Sequence, residues 1–233
     1  MKKILAMVAA LVVMGGVACA GDFYNGDFQI QLGYALNKGT MEDFPKDVTA
    51  KEFDFSLETY HFFRPIEMLG VGFVGGFNVG VGTTDNWKVL GTSDAKYEDG
   101  LSASLNFELG PAVALYLGNV VRFGFNVCYD SGWNYETPVN FKYDGYYMEL
   151  TGHQDYQVSY SGIALGLQAK FVPESKVNPV IGWRLVKGTA SSMEVISNVP
   201  DPITGDTSYD TYTINRKYDF TQNVFYAAIS FSW

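Results

Sequence analysis

Residues 225–233 read FYAAISFSW and hold an apolar side chain at every second position. The apolar set is Phe225, Ala227, Ile229, Phe231 and Trp233. Because side chains of a β-strand point alternately to opposite faces, all five would lie on one face of a strand. This stretch therefore predicts a strand with one apolar face and one small or polar face.

The same period of two recurs along the chain and predicts eight strands in an all-β fold. The predicted strands are residues 27–36, 52–63, 69–81, 101–117, 121–130, 156–171, 179–187 and 218–233. No segment after residue 20 shows the 3.6-residue spacing of an amphipathic helix. The alternation continues across Gly110-Pro111 and slips near Ser161-Gly162, which favours a kink or bulge at each site.

The connections between these strands are short and long in turn. The short ones are residues 64–68, 118–120 and 172–178, and the long ones are residues 37–51, 82–100, 131–155 and 188–217. Outer-membrane barrels have an even strand number, short periplasmic turns and longer extracellular loops. The pattern therefore predicts an eight-stranded antiparallel transmembrane β-barrel with four long extracellular loops and both termini in the periplasm.

Composition excludes several other classes of protein. Of the 233 residues, 47% are hydrophobic and 18% are charged, which is too apolar for a disordered chain. The net charge of −9 argues against binding of nucleic acid, because phosphate contacts require clustered Lys and Arg. The four long connections carry 15 acidic and 8 basic residues, so we expect an acidic extracellular surface.

The first twenty residues have the features of a secretory signal peptide. Lys2 and Lys3 precede an apolar run over residues 4–14, and Ala18 and Ala20 form an A-x-A cleavage site. We expect cleavage after Ala20 and a barrel domain over residues 21–233. Lipid attachment at Cys19 is an alternative, since the residues before it form a weak lipoprotein box.

The segment at residues 225–233 resembles the C-terminal β-signal of Gram-negative outer-membrane proteins, with Trp233 where phenylalanine is usual. Together with the signal peptide and the eight strands, it makes the chain similar to the OmpX, OmpW and OmpA-barrel class. This resemblance implies insertion by the barrel-assembly machinery, a location in the outer membrane and contact with its lipid.

The polar faces of the strands would line a barrel interior that is only wide enough for side chains to fill. The predicted polar network consists of Gln29, Gln31, Asp54, Glu58, Asn106, Glu108, Tyr116, Arg122, Asn126, Lys170 and Arg184. Within it, we expect an ion pair between Glu108 and Arg122. A structural plug of ion pairs is favoured over a gate or polar path, and the glycines at 70, 72, 76 and 80 are interpreted as packing sites.

Catalytic and metal-binding patterns are weak. His61 is expected at the membrane interface, and His153-x-Asp155, with Ser159 nearby, is a poor match to a catalytic triad. Asp201, Asp206 and Asp210 lack the order of a calcium loop, and Cys128 is interpreted as a small interior filler. We therefore predict no catalytic residues, no cofactor and no bound metal.

Four functions remain open at this point. The favoured one is a non-enzymatic surface protein whose loops contact an unidentified extracellular ligand or serve envelope structure. The resemblance implies a second, an OmpW-like conduit for small hydrophobic molecules, and a lipid-modifying enzyme is a third. A soluble lipocalin-like binder is disfavoured, because its outward apolar faces would be left in water.

Overall fold

The computed structural model describes residues 24–40, 48–85, 96–97, 100–144, 149–197, 199–200, 207–208 and 212–233. Side chains are described over residues 24–40, 49–83, 102–133, 159–191, 217 and 219–233. The predicted signal peptide, with Ala18, Cys19 and Ala20, lies outside the described residues and stays a prediction. Within the described ranges, no helix has the length and apolar character needed to cross a bilayer.

Eight long strands form the structure. They are β1 (Tyr24–Thr40), β2 (Val48–Ile66), β3 (Leu69–Asp85), β4 (Gly100–Leu117), β5 (Val121–Asp144), β6 (Glu149–Phe171), β7 (Val177–Ser197) and β8 (Tyr212–Ser232). Three two-residue strands accompany them, at Lys96–Tyr97, Val199–Pro200 and Thr207–Ser208. All eight predicted strands are confirmed.

Each long strand pairs antiparallel with the next, and β1 also pairs with β8, so the sheet closes on itself. The closing seam runs from Asp27 opposite Ser232 to Thr40 opposite Asp219. The predicted eight-stranded antiparallel barrel is therefore confirmed. The end that holds the three short turns after β2, β4 and β6 is called the turn end below, and the opposite end is called the loop end.

The period of two sorts side chains between the interior and the outer surface. On β8, Gln222, Val224, Tyr226, Ala228 and Ser230 are buried, whereas Phe225, Ile229 and Phe231 are exposed on the outside. The other strands show the same division, with leucine, isoleucine, valine and phenylalanine dominating the outer face. Hydrophobic burial therefore does not explain the outer face of this fold, which presents its apolar side chains to the surroundings.

The two predicted strand irregularities are not bulges. Pairing of β4 with β3 continues through Gly110 and Pro111, and pairing of β4 with β5 has the same register on either side of them. Pro111 lies in the two-residue gap of the pairing between β4 and β5, so its missing N–H group leaves the pairing with β3 in place. The pairing of β6 with β7 also continues without a shift through Ser161 and Gly162. The register shift in this region falls instead on β5, between Glu136 and Val139.

Several strands extend well into segments that were predicted to be loops. β5 continues to Asp144 and β6 begins at Glu149, although residues 131–155 were expected to connect them. β7 likewise continues to Ser197, and β8 begins at Tyr212. On β5 a register shift between Glu136 and Val139 interrupts the period of two, although the backbone pairing continues.

Candidate functional site in the barrel interior

The barrel interior contains all the polar residues that were predicted to face it. Gln29, Gln31, Asp54, Glu58, Asn106, Glu108, Tyr116, Arg122, Asn126, Lys170 and Arg184 are all buried. Asp27, Glu52, Asn78 and Asp130 join them, although they were not among the residues predicted for the network. Each lies at an inward position of a predicted strand or beside its end, so the alternation itself could have found them.

Asp27 is the centre of a charged cluster at the turn end. It forms ion pairs with Arg122 and with Lys170, whose Nζ lies 2.5 Å from Asp27 Oδ1. The Ser232 hydroxyl donates to the same oxygen at 3.0 Å and accepts from Lys170 Nζ at 2.6 Å. Buried charges are stable only when they are paired and hydrogen-bonded, and this cluster meets that condition with residues of β1, β5, β6 and β8.

The predicted ion pair between Glu108 and Arg122 is wrong. Arg122 lies opposite Tyr116 in the register of β4 and β5, whereas Glu108 lies opposite Asp130. Eight residues therefore separate Glu108 from the position opposite Arg122, which corresponds to about 26 Å along a strand. The stagger of the strands instead brings Arg122 to Asp27 and Glu108 to Arg184.

A second cluster surrounds Arg184, closer to the loop end. Its guanidinium lies 3.5 Å from Asp54, 3.5 Å from Glu58 and 3.3 Å from Glu108. Tyr60 donates its hydroxyl to Glu58 at 2.7 Å, and Asn126 donates to Tyr60 at 3.2 Å. One arginine on β7 thereby connects carboxylates of β2 and β4 across the interior.

Further hydrogen bonds connect the remaining interior strands. Gln31 donates to Gln29 at 3.3 Å, and Gln29 donates to Gln168 at 3.0 Å. Nearer the loop end, Glu52 accepts from the hydroxyls of Ser102 at 2.5 Å and Ser104 at 3.0 Å. These contacts cross from β1 to β6 and from β2 to β4, so the interior side chains form a network that spans the lumen.

Glycines provide the space that the large interior side chains occupy. A Cβ at Gly182 would meet the Tyr226 ring, and a Cβ at Gly124 would meet the Gln168 side chain. On β3, the inward face at Gly80 is filled by Ser104 and Glu52 from neighbouring strands. The interpretation of the glycines on β3 as packing sites agrees with this geometry.

The turn end of the interior is covered by an arginine and a tyrosine. The Arg64 guanidinium carbon lies 4.1 Å from the centre of the Tyr116 ring, and the Arg122 guanidinium carbon lies 5.9 Å from the same centre. Arg64 also donates to the backbone carbonyl of Glu67 at 2.5 Å. Cation–π contacts of this kind stabilise a ring between two arginines.

The last residue spans the closing seam on the outer surface. Trp233 exchanges backbone hydrogen bonds with Gly26 on β1, at 3.1 and 3.2 Å, and its indole covers the place where a Gly26 side chain would be. The indole reaches His61 on β2, with 6.3 Å between the ring centroids. His61 also stacks on Phe73 at 4.7 Å and is hydrogen-bonded to the Tyr24 hydroxyl.

We expect Gly26→Val to impair folding of the barrel, because the valine side chain would displace the Trp233 indole from its place across the seam. The measurement is the fraction of refolded protein that keeps the fast mobility of an unheated barrel in gel electrophoresis. Ala227→Val is the matched control, since Ala227 lies on the same seam opposite Leu32 with its side chain outward. Equal folding yields for the two variants would contradict a role for Trp233 in closure.

The sequence candidates for catalysis do not form a site among the described side chains. His61 is buried among aromatic rings on the outer face of β2, on the opposite side of the strand from the interior carboxylates. The side chains of His153 and Asp155 lie outside the described residues, as do Asp201, Asp206 and Asp210. Cys128 is a buried free thiol on the interior face. In the part of the chain that is described, no three His, Cys, Asp or Glu side chains are grouped to hold a metal ion.

Comparisons with known proteins find similar folds without a detectable sequence family. No protein-family model matches the chain, and no curated protein sequence matches it either. Among solved structures, Ail, the attachment invasion locus protein of Yersinia pestis, is 11% identical with a TM-score of 0.39, covering 89% of this chain and 99% of Ail. The Neisserial surface protein A is 9% identical with a TM-score of 0.43, covering 88% of this chain and 96% of that protein.

A major outer membrane protein from Thermus thermophilus is 10% identical with a TM-score of 0.47, covering 89% of this chain and 99% of that protein. Identities this low say nothing about which residues the proteins share for function. The assignment of the fold rests on the strand pairing of the chain itself, which closes through β1 and β8.

Proposed function

We propose that the chain is an integral outer-membrane barrel with a filled interior, whose strands continue beyond the bilayer to present an interaction surface. It acts without enzymatic chemistry, and its acidic loops contact a partner or neighbouring envelope component. The observation that carries this proposal is the change from apolar to polar side chains partway along the outer face of β7 and β8.

The change falls at one level on neighbouring strands. On β8 the outer face is apolar from Trp233 to Phe225 and becomes polar at Asn223. Asn223 lies opposite Leu185 on β7, and the next outward pair joins Thr221 to Lys187. The apolar stretch on β8 spans nine residues, close to the 9–11 that a tilted strand needs to cross a bilayer. The change from apolar to polar side chains supports placing a membrane boundary at this level.

The strands continue far beyond that level. β5 and β6 contain 24 and 23 residues, and β7 and β8 contain 21 each, about twice the length that crossing requires. β1 to β4 are shorter, with 17 to 19 residues. One half of the barrel wall therefore extends from the bilayer as a raised sheet, and a rigid base of this kind suits loops that bind.

Membrane insertion can be tested by cell fractionation and by gel mobility with and without heating. We expect the protein in the outer-membrane fraction, and we expect the unheated barrel to migrate faster than the heated chain. Recovery in the soluble periplasm, without heat-dependent mobility, would contradict the membrane proposal.

The surface role can be tested by removing the raised sheet and keeping the barrel. The backbone pairs Ala190–Tyr218 and Trp133–Ser159 allow each extension to be replaced by an Asn-Gly turn. We expect this double truncation to keep its heat-dependent mobility, because the transmembrane contacts are intact. Adhesion of expressing cells to wells coated with basement-membrane extract should fall to the level of cells without the protein.

Albumin-coated wells and an untruncated strain with equal surface expression serve as controls. Adhesion that persists after truncation would contradict the surface role while leaving the membrane proposal intact. The conduit alternative has a separate test in proteoliposomes: because interior side chains fill the lumen, we expect neither glucose nor an apolar dye to enter faster than in protein-free vesicles.

A further inference from the structure

Charge is unevenly distributed along the barrel interior. Among the described residues, six carboxylates and three cationic side chains are buried inside. At the turn end, Asp27 is matched by Arg122 and Lys170. Arg184 is the single buried interior cation described toward the loop end, where the five carboxylates are Glu52, Asp54, Glu58, Glu108 and Asp130. This region, called the acidic chamber below, holds more carboxylates than cations, and buried carboxylates must be paired or neutralised.

Asn78 lies inside the acidic chamber without a hydrogen-bond partner. Its side chain is 0% exposed, and neither Oδ1 nor Nδ2 is bonded to any residue that the structure describes. A buried amide in this condition is costly, and native proteins rarely leave one unsatisfied. The observation is independent of the carboxylate count, and it leaves the amide oxygen of Asn78 free to contact a group that is not part of the chain.

The strand register surrounds Asn78 with oxygen atoms. Asn78 lies opposite Ser56 on β2 and opposite Asn106 on β4. The diagonal positions, about 7–8 Å away, hold Asp54, Glu58, Ser104 and Glu108. On its own strand the two inward neighbours are Gly76 and Gly80, whose places are taken by the side chains of Glu58, Ser104 and Glu52.

A further unsatisfied acceptor lies directly opposite Asn78. Asn106 Oδ1 is buried without a hydrogen-bond partner, and Asn106 uses its amide nitrogen to donate to Asp130 Oδ2 at 3.2 Å. Carboxylate and amide oxygens are the ligands that hard cations prefer in proteins. A cation would supply counter-charge for the carboxylates and a partner for the unbonded amide oxygens.

We propose that the acidic chamber binds a small inorganic cation through oxygen ligands, with the Asn78 side chain at the centre of the site. Asn106 and Asp130 contribute the neighbouring oxygens, and the remaining carboxylates supply the long-range attraction. Sodium and calcium ions share this chemistry, and the experiment distinguishes them. The proposal depends on the closed barrel and is independent of the surface role.

The test compares thermal unfolding of the purified, refolded barrel in sodium, calcium and choline chloride at equal ionic strength. Choline is too large for the site and controls for screening. We expect the Tm to be about 3–6 °C higher in the binding cation than in choline, at ten times the Kd. A rise in Tm in sodium chloride alone, or in calcium chloride, identifies the bound ion. Identical Tm values in all three salts would overturn the proposal.

Asn78→Leu separates a cation site from a simple defect in packing. Removing two unsatisfied polar atoms from a dry interior would stabilise the barrel equally in every salt, and that result would overturn the proposal. A cation site instead predicts that the variant loses the salt response. Ser230→Ala is the matched control, since Ser230 Oγ is also buried and unpartnered but lies opposite Asn178 and Gln29 near the turn end, and this variant should keep the response.

Asn78→Asp provides a second measurement if the leucine variant does not fold. The added carboxylate should increase affinity, so the same Tm shift should occur at a cation concentration at least about tenfold lower. If the variant needs the same cation concentration as the wild type for this Tm shift, the proposal is overturned. A wild-type Tm that is the same in every salt and rises as the pH is lowered would also overturn the proposal. Protons on the carboxylates of the acidic chamber would then provide the compensating charge.

Discussion

Asp27→Asn is expected to cost about 3–5 kcal/mol of unfolding free energy, because it leaves two buried cations without their counter-ion. Arg122 and Lys170 are each about 1% exposed, so water cannot replace the lost carboxylate. Asparagine keeps the shape of the side chain, which confines the change to charge. The measurement is urea unfolding of the barrel in phospholipid vesicles, followed by tryptophan fluorescence and by gel mobility.

A triple variant provides the control for this prediction. Replacing all three charged residues together, as Asp27→Leu, Arg122→Met and Lys170→Leu, removes the charges that need pairing, and we expect it to recover most of the lost stability. If Asp27→Asn unfolds within about 1 kcal/mol of the wild type, the ion pairs at the turn end contribute little to stability, and the description of Asp27 as the centre of the cluster is wrong.

Arg184→Met is expected to be the second large effect, also about 3–5 kcal/mol at neutral pH. The variant leaves Asp54, Glu58 and Glu108 close together in a water-poor interior without the cation that they surround. Because their mutual repulsion requires ionised carboxylates, the loss should shrink as the pH falls and these groups take up protons. Urea unfolding at neutral and acidic pH measures both effects.

Arg184→Lys is the matched variant for the second prediction. Lysine keeps the charge but cannot reach several carboxylates at once with a planar fork of donors, so we expect a smaller loss than for methionine. Equal losses for lysine and methionine would show that geometry, and not charge, determines the contribution of Arg184. A loss for methionine that does not change with pH would contradict the electrostatic explanation.

The alternation of apolar and polar residues correctly predicted the eight strands that form the barrel wall. The eight strands, the inward position of Arg122 and the outward position of Phe225 follow from a period of two, which depends only on neighbouring residues. The predicted strand bounds were too short toward the loop end, where β5 continues to Asp144. A register shift between Glu136 and Val139 interrupts the period of two there, although the backbone pairing continues.

Pairing inside the barrel could not be predicted in the same way. Asp27 and Lys170 are separated by 143 residues and meet because the closed sheet brings β1 and β6 to the same level of the interior. Adjacency of β4 and β5 favoured Glu108 as the partner of Arg122, but the distance along the strand separates them. The place of Trp233 over Gly26 and against His61 likewise depends on closure between β8 and β1.

The order of amino acids is enough to specify which side chains face inward and which face outward, because that choice repeats every two residues along each strand. Closure of the sheet decides which inward groups meet: it gives Asp27 two cations, gives Arg184 three carboxylates and leaves Asn78 among oxygen atoms without a partner. The physical reason is that the stagger of eight strands is fixed only when the last strand pairs with the first, and every interior distance depends on that stagger.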